Sequence, residues 1–410
     1  MQVPPFSLTQ QITELGDELD AAVLRVLHSG QYIGGSETRR FEEAFAALIG
    51  MPHVVSCNSG TDALVLALRG LGVGAGDEVI TCSFNFFATA EAISTVGATP
   101  VFVDVDPITK LIDIEQIEAV ITPATRALIP VHLFGRPVAM DRLMEIAQRH
   151  SLWVIEDCAQ AAGASWDSRP VGSWGNAGCF SFFPTKNLGG AGDGGAITCY
   201  DDDLAQRMRE LAVHGMPHRY LHTALGINSR LDALQAAVLN VKLPYLETWL
   251  ERRRLIAKRY FDGLLNVPGM ILPDPASDSQ TGHSWNQFVL RITNYLADKP
   301  KNKNSICTPP RISAAHGLPE SRCRDQLKQN LSDRGIQTAI YYPIPIHRQP
   351  AYSYLGLTPG SLPVTEQLCS EVISLPIYPE LPTNYQDQVI LALRQYLSRQ
   401  QPVDQARMAA

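Results

Sequence analysis

A lysine in an apolar, glycine-rich segment is the first residue of this sequence that could carry out chemistry. Lys186 lies in Phe180-Ser-Phe-Phe-Pro-Thr-Lys-Asn-Leu-Gly189, where few charged residues flank it. A lysine in such surroundings has a lowered pKa and reacts with aldehydes. The alternative is a surface lysine whose aliphatic stem packs on apolar side chains while its ammonium group reaches water. Both interpretations are open for this residue taken alone.

An acidic pair follows a predicted buried strand. Trp153-Val-Ile-Glu-Asp157 ends in Glu156 and Asp157, and Gln160 comes three residues later. Open α/β sheets bind ligands at the carboxyl ends of their strands. A carboxylate there could hold a cationic ring nitrogen while Gln160 hydrogen-bonds a ring oxygen, although it could also cap a helix.

A turn of small residues precedes a predicted helix at Asp62 to Arg69. The turn contains Ser59, Gly60 and Thr61, so free amides at the helix start, aided by the helix dipole, could bind a phosphate dianion. The alternative is an ordinary N-cap in which a side chain satisfies these amides. A phosphate site, a carboxylate and a nucleophilic lysine are together what pyridoxal phosphate requires, and the set therefore predicts this cofactor.

Composition and charge narrow the class of protein. The 410 residues include 34 Lys and Arg and 41 Asp and Glu, so the net charge of −7 does not favour binding to nucleic acid. No stretch reaches the roughly 20 apolar residues of a membrane span, and no signal peptide is visible. Cys and His residues lack the spacing of a zinc site. We expect a cytoplasmic enzyme that uses no metal and binds neither nucleic acid nor a membrane.

Short apolar, β-branched segments alternate with helical patterns from about residue 36 to 245. These segments are apolar throughout rather than at every second residue, which is typical of a sheet buried on both faces. The predicted strands include Glu78–Thr81, Thr99–Val105, Ala127–His132, Leu152–Ile155 and Gly195–Cys199. We predict an α/β fold whose large cofactor-binding domain, with an N-terminal segment, spans residues 1–245.

The C-terminal part has a different pattern and predicts a smaller α+β domain over residues 246–399. The elements expected around and within it are helices at Ser229–Leu243, Tyr245–Leu265, Arg322–Arg334 and Asp387–Leu397 and a strand at Gln287–Ile292. Residues 296–321 are rich in Lys, Asn and Pro and lack periodicity, so we interpret them as an inserted surface loop. Residues 400–410 are predicted to be a disordered tail.

The chain resembles the DegT/DnrJ/EryC1/StrS family of sugar-nucleotide aminotransferases, which are fold type I pyridoxal phosphate enzymes. The resemblance runs from Tyr32-Ile-Gly-Gly and Arg40-Phe-Glu-Glu-Ala-Phe to Ser374-Leu-Pro-Ile-Tyr-Pro, nearly the whole chain. It implies a large α/β/α domain with a mostly parallel central sheet and a smaller C-terminal α+β domain. It also implies a homodimer whose active sites lie at the subunit boundary.

The resemblance assigns roles to residues that match the family motifs. Lys186 would form the Schiff base with the cofactor, and Asp157 would pair with its pyridine nitrogen. Gln160 would approach the ring hydroxyl, and Phe86 would stack on the ring. The residues implied around the phosphate are Gly60, Thr61, Ser181 and Asn228, the last reaching the phosphate bound to the partner subunit.

The implied reaction delivers an amino group, with L-glutamate as donor, to a keto group of a nucleotide-linked 6-deoxyhexose. Related dehydratases carry His in place of Lys186, so this lysine favours transamination. The motifs around it and around Asn228 resemble the branch that acts at C3; transfer to C4 is the alternative, and a cofactor-binding regulator without catalysis is a more remote one. The residues implied as sugar-pocket candidates are His214, Tyr220, His222, Tyr342 and His347, although histidines more often have structural roles.

Overall fold

The structure is a computed structural model that describes residues 2–276, 280–293 and 322–399. Its β-strands are β1 His53–Cys57, β2 Glu78–Cys82, β3 Thr99–Val103, β4 Thr125–Leu128, β5 Trp153–Asp157, β6 Ser165–Trp166, β7 Arg169–Pro170, β8 Ala177–Ser181, β9 Gly195–Cys199, β10 Met270–Ile271, β11 Thr281–Gly282, β12 Phe288–Ile292 and β13 Val372–Leu375. Its α-helices are α1 Thr9–Ser29, α2 Ser36–Ile49, α3 Gly60–Gly70, α4 Ala88–Thr95, α5 Met140–Arg149, α6 Asp202–Leu211, α7 Ala233–Lys242, α8 Leu246–Leu264, α9 Arg322–Asp333, α10 Pro363–Glu371 and α11 Thr383–Arg399.

A seven-stranded sheet in the order β1-β9-β8-β5-β4-β2-β3 forms the centre of the large domain. β9 is antiparallel to both of its neighbours, whereas every other pair in the sheet is parallel. Six strands therefore point the same way, and their carboxyl ends lie at one edge. The apolar strands are buried because helices pack on them, as Leu66 and Leu68 of α3 do with no exposed surface. The predicted α/β fold with a mostly parallel central sheet is confirmed.

Several predicted elements have different bounds in the structure; α11, for example, begins at Thr383 rather than at Asp387. Two of the differences have an identifiable cause. β4 stops at Leu128, before the predicted end at His132, because Pro130 has no amide hydrogen to donate to a neighbouring strand. α7 begins at Ala233 rather than Ser229, because the amide of Ser229 donates to the Ala212 carbonyl and stays outside the helix. Both differences arise from backbone pairing that the periodicity of side chains does not reveal.

A second, antiparallel sheet in the order β10-β12-β13 forms the centre of the C-terminal unit. Residues from α8, α9 and α11 pack on it, including the buried Tyr260, Leu327 and Leu393. The N-terminal segment also contacts this unit. Val3 is fully buried in this second core, where its amide donates to the Gly335 carbonyl at 2.8 Å.

Some predictions concern residues outside the described ranges. The whole predicted insertion at 296–321 and the whole tail at 400–410 lie there. Within the described ranges, none of the helices combines the length and apolar character needed to cross a bilayer.

Candidate active site

Residues that the sequence singled out lie at the edge of the central sheet where the parallel strands have their carboxyl ends. β5 ends at Asp157, and β8 ends at Ser181. β1 leads through Asn58 and Ser59 into α3, which begins at Gly60. Because these strands are parallel, segments far apart in the sequence meet at this edge.

The start of α3 approaches the end of β8 very closely. A Cβ atom built on Gly60 would lie 2.7 Å from Cβ of Ser181, so a side chain at this position would collide with it. The hydroxyl of Ser59 accepts a hydrogen bond from the amide of Asp62 at 3.1 Å and caps the helix. The amides of Gly60 and Thr61 have no intrahelical partner at a helix start, so they are available to an anion. The N-cap and phosphate interpretations are therefore compatible.

Asp157 is a buried carboxylate with both oxygens engaged. It is 5% exposed. Its Oδ2 accepts a hydrogen bond from Thr89 Oγ1 at 2.6 Å, and its Oδ1 accepts one from the amide of Ala159 at 3.1 Å. Asn85 Nδ2 in turn donates to Thr89 Oγ1 at 2.6 Å. These contacts hold the carboxylate in one orientation.

Lys186 lies in a turn after β8, where its amide donates to the Phe183 carbonyl at 2.9 Å. Burial lowers the pKa of its side-chain amine to about 8, and the nearby Asp157 carboxylate partly opposes this shift. The next residue, Asn187, is buried, and its Oδ1 accepts a hydrogen bond from Asn286 Nδ2 at 2.8 Å. A lysine with a pKa near 8 has a substantial neutral fraction at physiological pH, which is the form that attacks aldehydes.

Three polar and aromatic side chains contact one another in sequence: Gln160 contacts Tyr342, and Tyr342 contacts Phe86. Gln160 Oε1 accepts from the amide of Phe134 at 2.8 Å, and its Nε2 donates to the Tyr342 hydroxyl at 2.9 Å. The rings of Phe86 and Tyr342 have centroids 5.9 Å apart. Burial raises the pKa of the Tyr342 hydroxyl, which therefore stays protonated. Phe86 is 55% exposed and leaves an aromatic surface open for stacking.

An exposed segment between α6 and α7 contains four of the predicted site residues, namely His214, Tyr220, His222 and Asn228. Tyr220 is 80% exposed, and a ring nitrogen of His222 lies 2.9 Å from the His214 carbonyl. The segment returns to the sheet edge next to Asn228, because Ser229 Oγ accepts from the amide of Asn58 at 3.2 Å. The end of the segment next to Ser229 therefore contacts the turn that leads to α3, while the part around Tyr220 is exposed.

Comparison with known proteins decides the family. The profile of the DegT/DnrJ/EryC1/StrS aminotransferase family matches residues 13–304 and 298–394. The chain belongs to this family. The two matched pieces overlap at 298–304, inside the predicted insertion, and together they cover nearly all of the aminotransferase.

The aminotransferase is similar over nearly its whole length to characterised relatives. It is 45% identical over 396 residues to the erythromycin biosynthesis sensory transduction protein EryC1 of Saccharopolyspora erythraea, covering 96% of this chain and 99% of that one. It is 43% identical over 405 residues to the dTDP-3-amino-3,4,6-trideoxy-α-D-glucose transaminase of Streptomyces venezuelae, covering 99% and 98%. The crystal structure of S. venezuelae DesV with a ketimine intermediate is 42% identical with a TM-score of 0.87, covering 98% and 100%. The predicted enzyme class is confirmed.

His347, a predicted sugar-pocket candidate, is buried in the structure. It is 2% exposed, with Nδ1 2.8 Å from Ser83 Oγ and Nε2 3.2 Å from Glu366 Oε1. Both ring nitrogens are therefore engaged inside the protein. Burial lowers the pKa of this imidazole. These contacts link the end of β2 to α10.

His132, Glu156 and Cys158 lie close enough together to share a cation. Glu156 accepts hydrogen bonds from the amides of Gly172, Trp174 and Gly175, each at 2.8 Å. His132 Nδ1 accepts from the amide of Val138 at 3.0 Å, so the proton lies on Nε2, which donates to Glu156 at 3.1 Å. These bonds occupy the carboxylate and imidazole groups of the cluster.

Sequence reasoning missed the residues that hold the active-site side chains. Thr89 donates a hydrogen bond to Asp157 and accepts one from Asn85. Asn286 donates one to Asn187, the residue after Lys186. The short separation of Asn85 and Thr89 in Asn85-Phe-Phe-Ala-Thr89 is a usable signal, because the turn that leads into α4 at Ala88 keeps the two residues close together.

Gly60→Ala tests the predicted phosphate site. We expect pyridoxal phosphate to bind about ten- to a hundredfold more weakly. The added methyl group would collide with Ser181, and a shift of α3 that relieves this collision costs roughly 1–3 kcal/mol. The measurement is a fluorescence titration of the cofactor-free protein. Gly16→Ala in α1 is the matched control, since no atom lies within 4 Å of its added Cβ. Unchanged affinity in Gly60→Ala would contradict the assignment.

Proposed function

We propose that this aminotransferase uses pyridoxal phosphate to move an amino group from L-glutamate to C3 of a keto-6-deoxyhexose carried on a nucleoside diphosphate. The observation that carries the proposal is the proximity of a partly buried lysine and a buried carboxylate at the sheet edge where α3 begins. The pKa of Lys186 is lowered to about 8 by burial, and Asp157 is close enough to oppose that shift.

The chemistry of this donor set fits the cofactor. Amides at the start of α3 suit a phosphate dianion, the absence of a Cβ at Gly60 permits its close approach, and Asp157 suits a protonated ring nitrogen. When bound, pyridoxal phosphate supplies an aldehyde for the lysine and a ring that accepts an electron pair from the carbon undergoing reaction.

Different residues of this chain would then transfer the proton and orient the cofactor ring. Lys186 Nζ would take the proton from Cα of the amino donor and return it to C4′ of the cofactor, and its pKa of about 8 suits both roles near neutral pH. Asp157 would keep the ring nitrogen protonated. Gln160, held by Phe134 and Tyr342, would present its amide to the ring hydroxyl.

Transfer to C3 is supported by the S. venezuelae relative, whose name places its amino group at C3. The alignment with this relative covers 99% of this chain at 43% identity. L-Glutamate as donor rests on the family resemblance. A keto sugar on a nucleotide is large and anionic, so it suits a site open at its outer side. Phe86 and the exposed segment that contains Tyr220 lie on exposed surface of the single chain.

A homodimer with shared active sites is supported by exposed apolar surface. Tyr220 is 80% exposed, Leu221 52% and Leu225 93%, all in the segment between α6 and α7. A surface of this kind favours association with another protein chain. We propose that a second copy covers it and that Asn228, at its base, completes the phosphate site of that copy.

The test of this function uses the visible absorption of the purified protein with pyridoxal phosphate. L-Glutamate should bleach the cofactor band by leaving the amino group on the cofactor. A dTDP-linked 3-keto-6-deoxyhexose should then restore the band, whereas its 4-keto isomer, added in parallel, should not.

Two other results would change the proposal. Restoration by the 4-keto sugar alone would assign the enzyme to amino transfer at C4. A cofactor band that no amino donor bleaches would favour a regulatory protein without catalysis; the S. erythraea relative is named as a sensory transduction protein.

A further inference from the structure

Three buried polar side chains form a hydrogen-bonded chain that ends at Asp157. Asn85 Nδ2 donates to Thr89 Oγ1 at 2.6 Å, and Thr89 Oγ1 donates to Asp157 Oδ2 at 2.6 Å. Asn85 is 4% exposed, Thr89 1% and Asp157 5%. All three are therefore removed from water that could otherwise satisfy or reorient them.

The donor and acceptor chemistry fixes the direction of this chain. The nitrogen of an asparagine amide only donates, so Thr89 Oγ1 must accept from Asn85. The hydroxyl proton of Thr89 is then free to point at Asp157, which accepts it as a carboxylate. A valine at position 89 would keep the shape of this side chain but remove both interactions.

Asp157 is held from two sides. The amide of Ala159 donates to Oδ1 at 3.1 Å, while Thr89 donates to Oδ2. Without Thr89 the carboxylate keeps one of these two contacts and gains freedom to turn about its side-chain bonds. Hydrogen bonds to a charged group are stronger than those between neutral groups, and burial strengthens them further.

We propose that Thr89 and Asn85 are positioning residues that hold Asp157 against the ring nitrogen of a pyridine cofactor, an inference that rests on the proposed function. They act through Asp157 and do not themselves contact the reacting atoms. Because a misplaced carboxylate pairs poorly with a pyridinium group, removing the hydroxyl should leave the ring nitrogen less protonated. The electron-withdrawing power of the ring should fall with it.

The test follows the ring nitrogen by NMR, using pyridoxal phosphate labelled with ¹⁵N and bound to the full-length protein. In Thr89→Val the nitrogen resonance should move toward the unprotonated position, and bleaching of the cofactor band by L-glutamate should slow by about ten- to a hundredfold. Thr89→Ser should restore both. Asn85→Ala should shift the resonance in the same direction by a smaller amount, which gives a second route if Thr89→Val folds poorly.

Thr81→Val is the matched control. Thr81 is fully buried, and its hydroxyl donates to the Ile129 carbonyl at 2.9 Å, so this variant also loses a buried hydrogen bond, but not one to Asp157. It should lower the melting temperature without moving the nitrogen resonance. A Thr89→Val resonance at the wild-type position would overturn the inference while leaving the proposed function intact. Failure of the wild-type protein to bind the cofactor would overturn both.

Discussion

Lys186→Ala should abolish multiple turnover while leaving the protein folded. The side chain lies in a turn beyond β8, and its removal takes away the amine that would attach the cofactor and move the proton, without disturbing a strand. The measurements are steady-state amino transfer with L-glutamate and a thermal melt of the same sample. Truncating the exposed Lys258 of α8, which pairs with Asp262, to Ala is the matched control and should keep full activity. Appreciable turnover by Lys186→Ala would refute the assignment.

The same residue gives a pH dependence with a defined direction. Only the neutral amine attacks an aldehyde, and burial lowers the pKa of Lys186 to about 8. The rate at which the cofactor-free protein captures pyridoxal phosphate should therefore rise with pH and level off above about 8. An ordinary exposed lysine would continue to gain reactivity up to about pH 10.

Lys186→Ala also tests the shared active site when it is mixed with Asn228→Ala. In a mixed dimer, one site combines an intact Lys186 with an intact Asn228 from the other subunit, so activity should return after subunit exchange. Each variant alone lacks one of the two residues at every site. Failure to regain activity, with exchange demonstrated by labelled subunits, would place both residues of each site on one chain.

Asp157→Asn should have the second-largest effect. Removing one partner of a buried charge pair costs about 3–5 kcal/mol, which corresponds to a rate lowered by roughly two to four orders of magnitude. An asparagine has nearly the same shape but cannot stabilise a protonated ring nitrogen by charge. The measurement is the single-turnover rate of bleaching by L-glutamate at saturating cofactor.

Asp203→Asn is the control for this change, because it makes the same substitution at an exposed position on α6. It should leave the bleaching rate unchanged. An Asp157→Asn rate within a factor of about three of wild type would show that the carboxylate does not act on the ring, since one charge-assisted contact alone is worth more than that.

Local sequence was enough to predict the architecture and the chemical groups of the site. Strands that are apolar at every position predict a sheet buried on both faces, and the family resemblance implies that this sheet is mostly parallel. The sequence places Asp157 just after a predicted strand, and a parallel sheet brings strand ends to one edge. Lys186 follows from its apolar and glycine-rich neighbourhood, since burial of that segment lowers the pKa of its amine.

Only the tertiary structure decided which side chains hold one another. Thr89 and Asp157 are 68 residues apart, and Asn187 and Asn286 are 99 apart, so neither contact has a local signal. His347 has the residue type of a ligand-binding group, yet the fold buries it between Ser83 and Glu366. The reason is physical. Periodicity records which face of an element is buried, whereas a specific hydrogen bond depends on strand order, register and crossover connections that bring distant segments together.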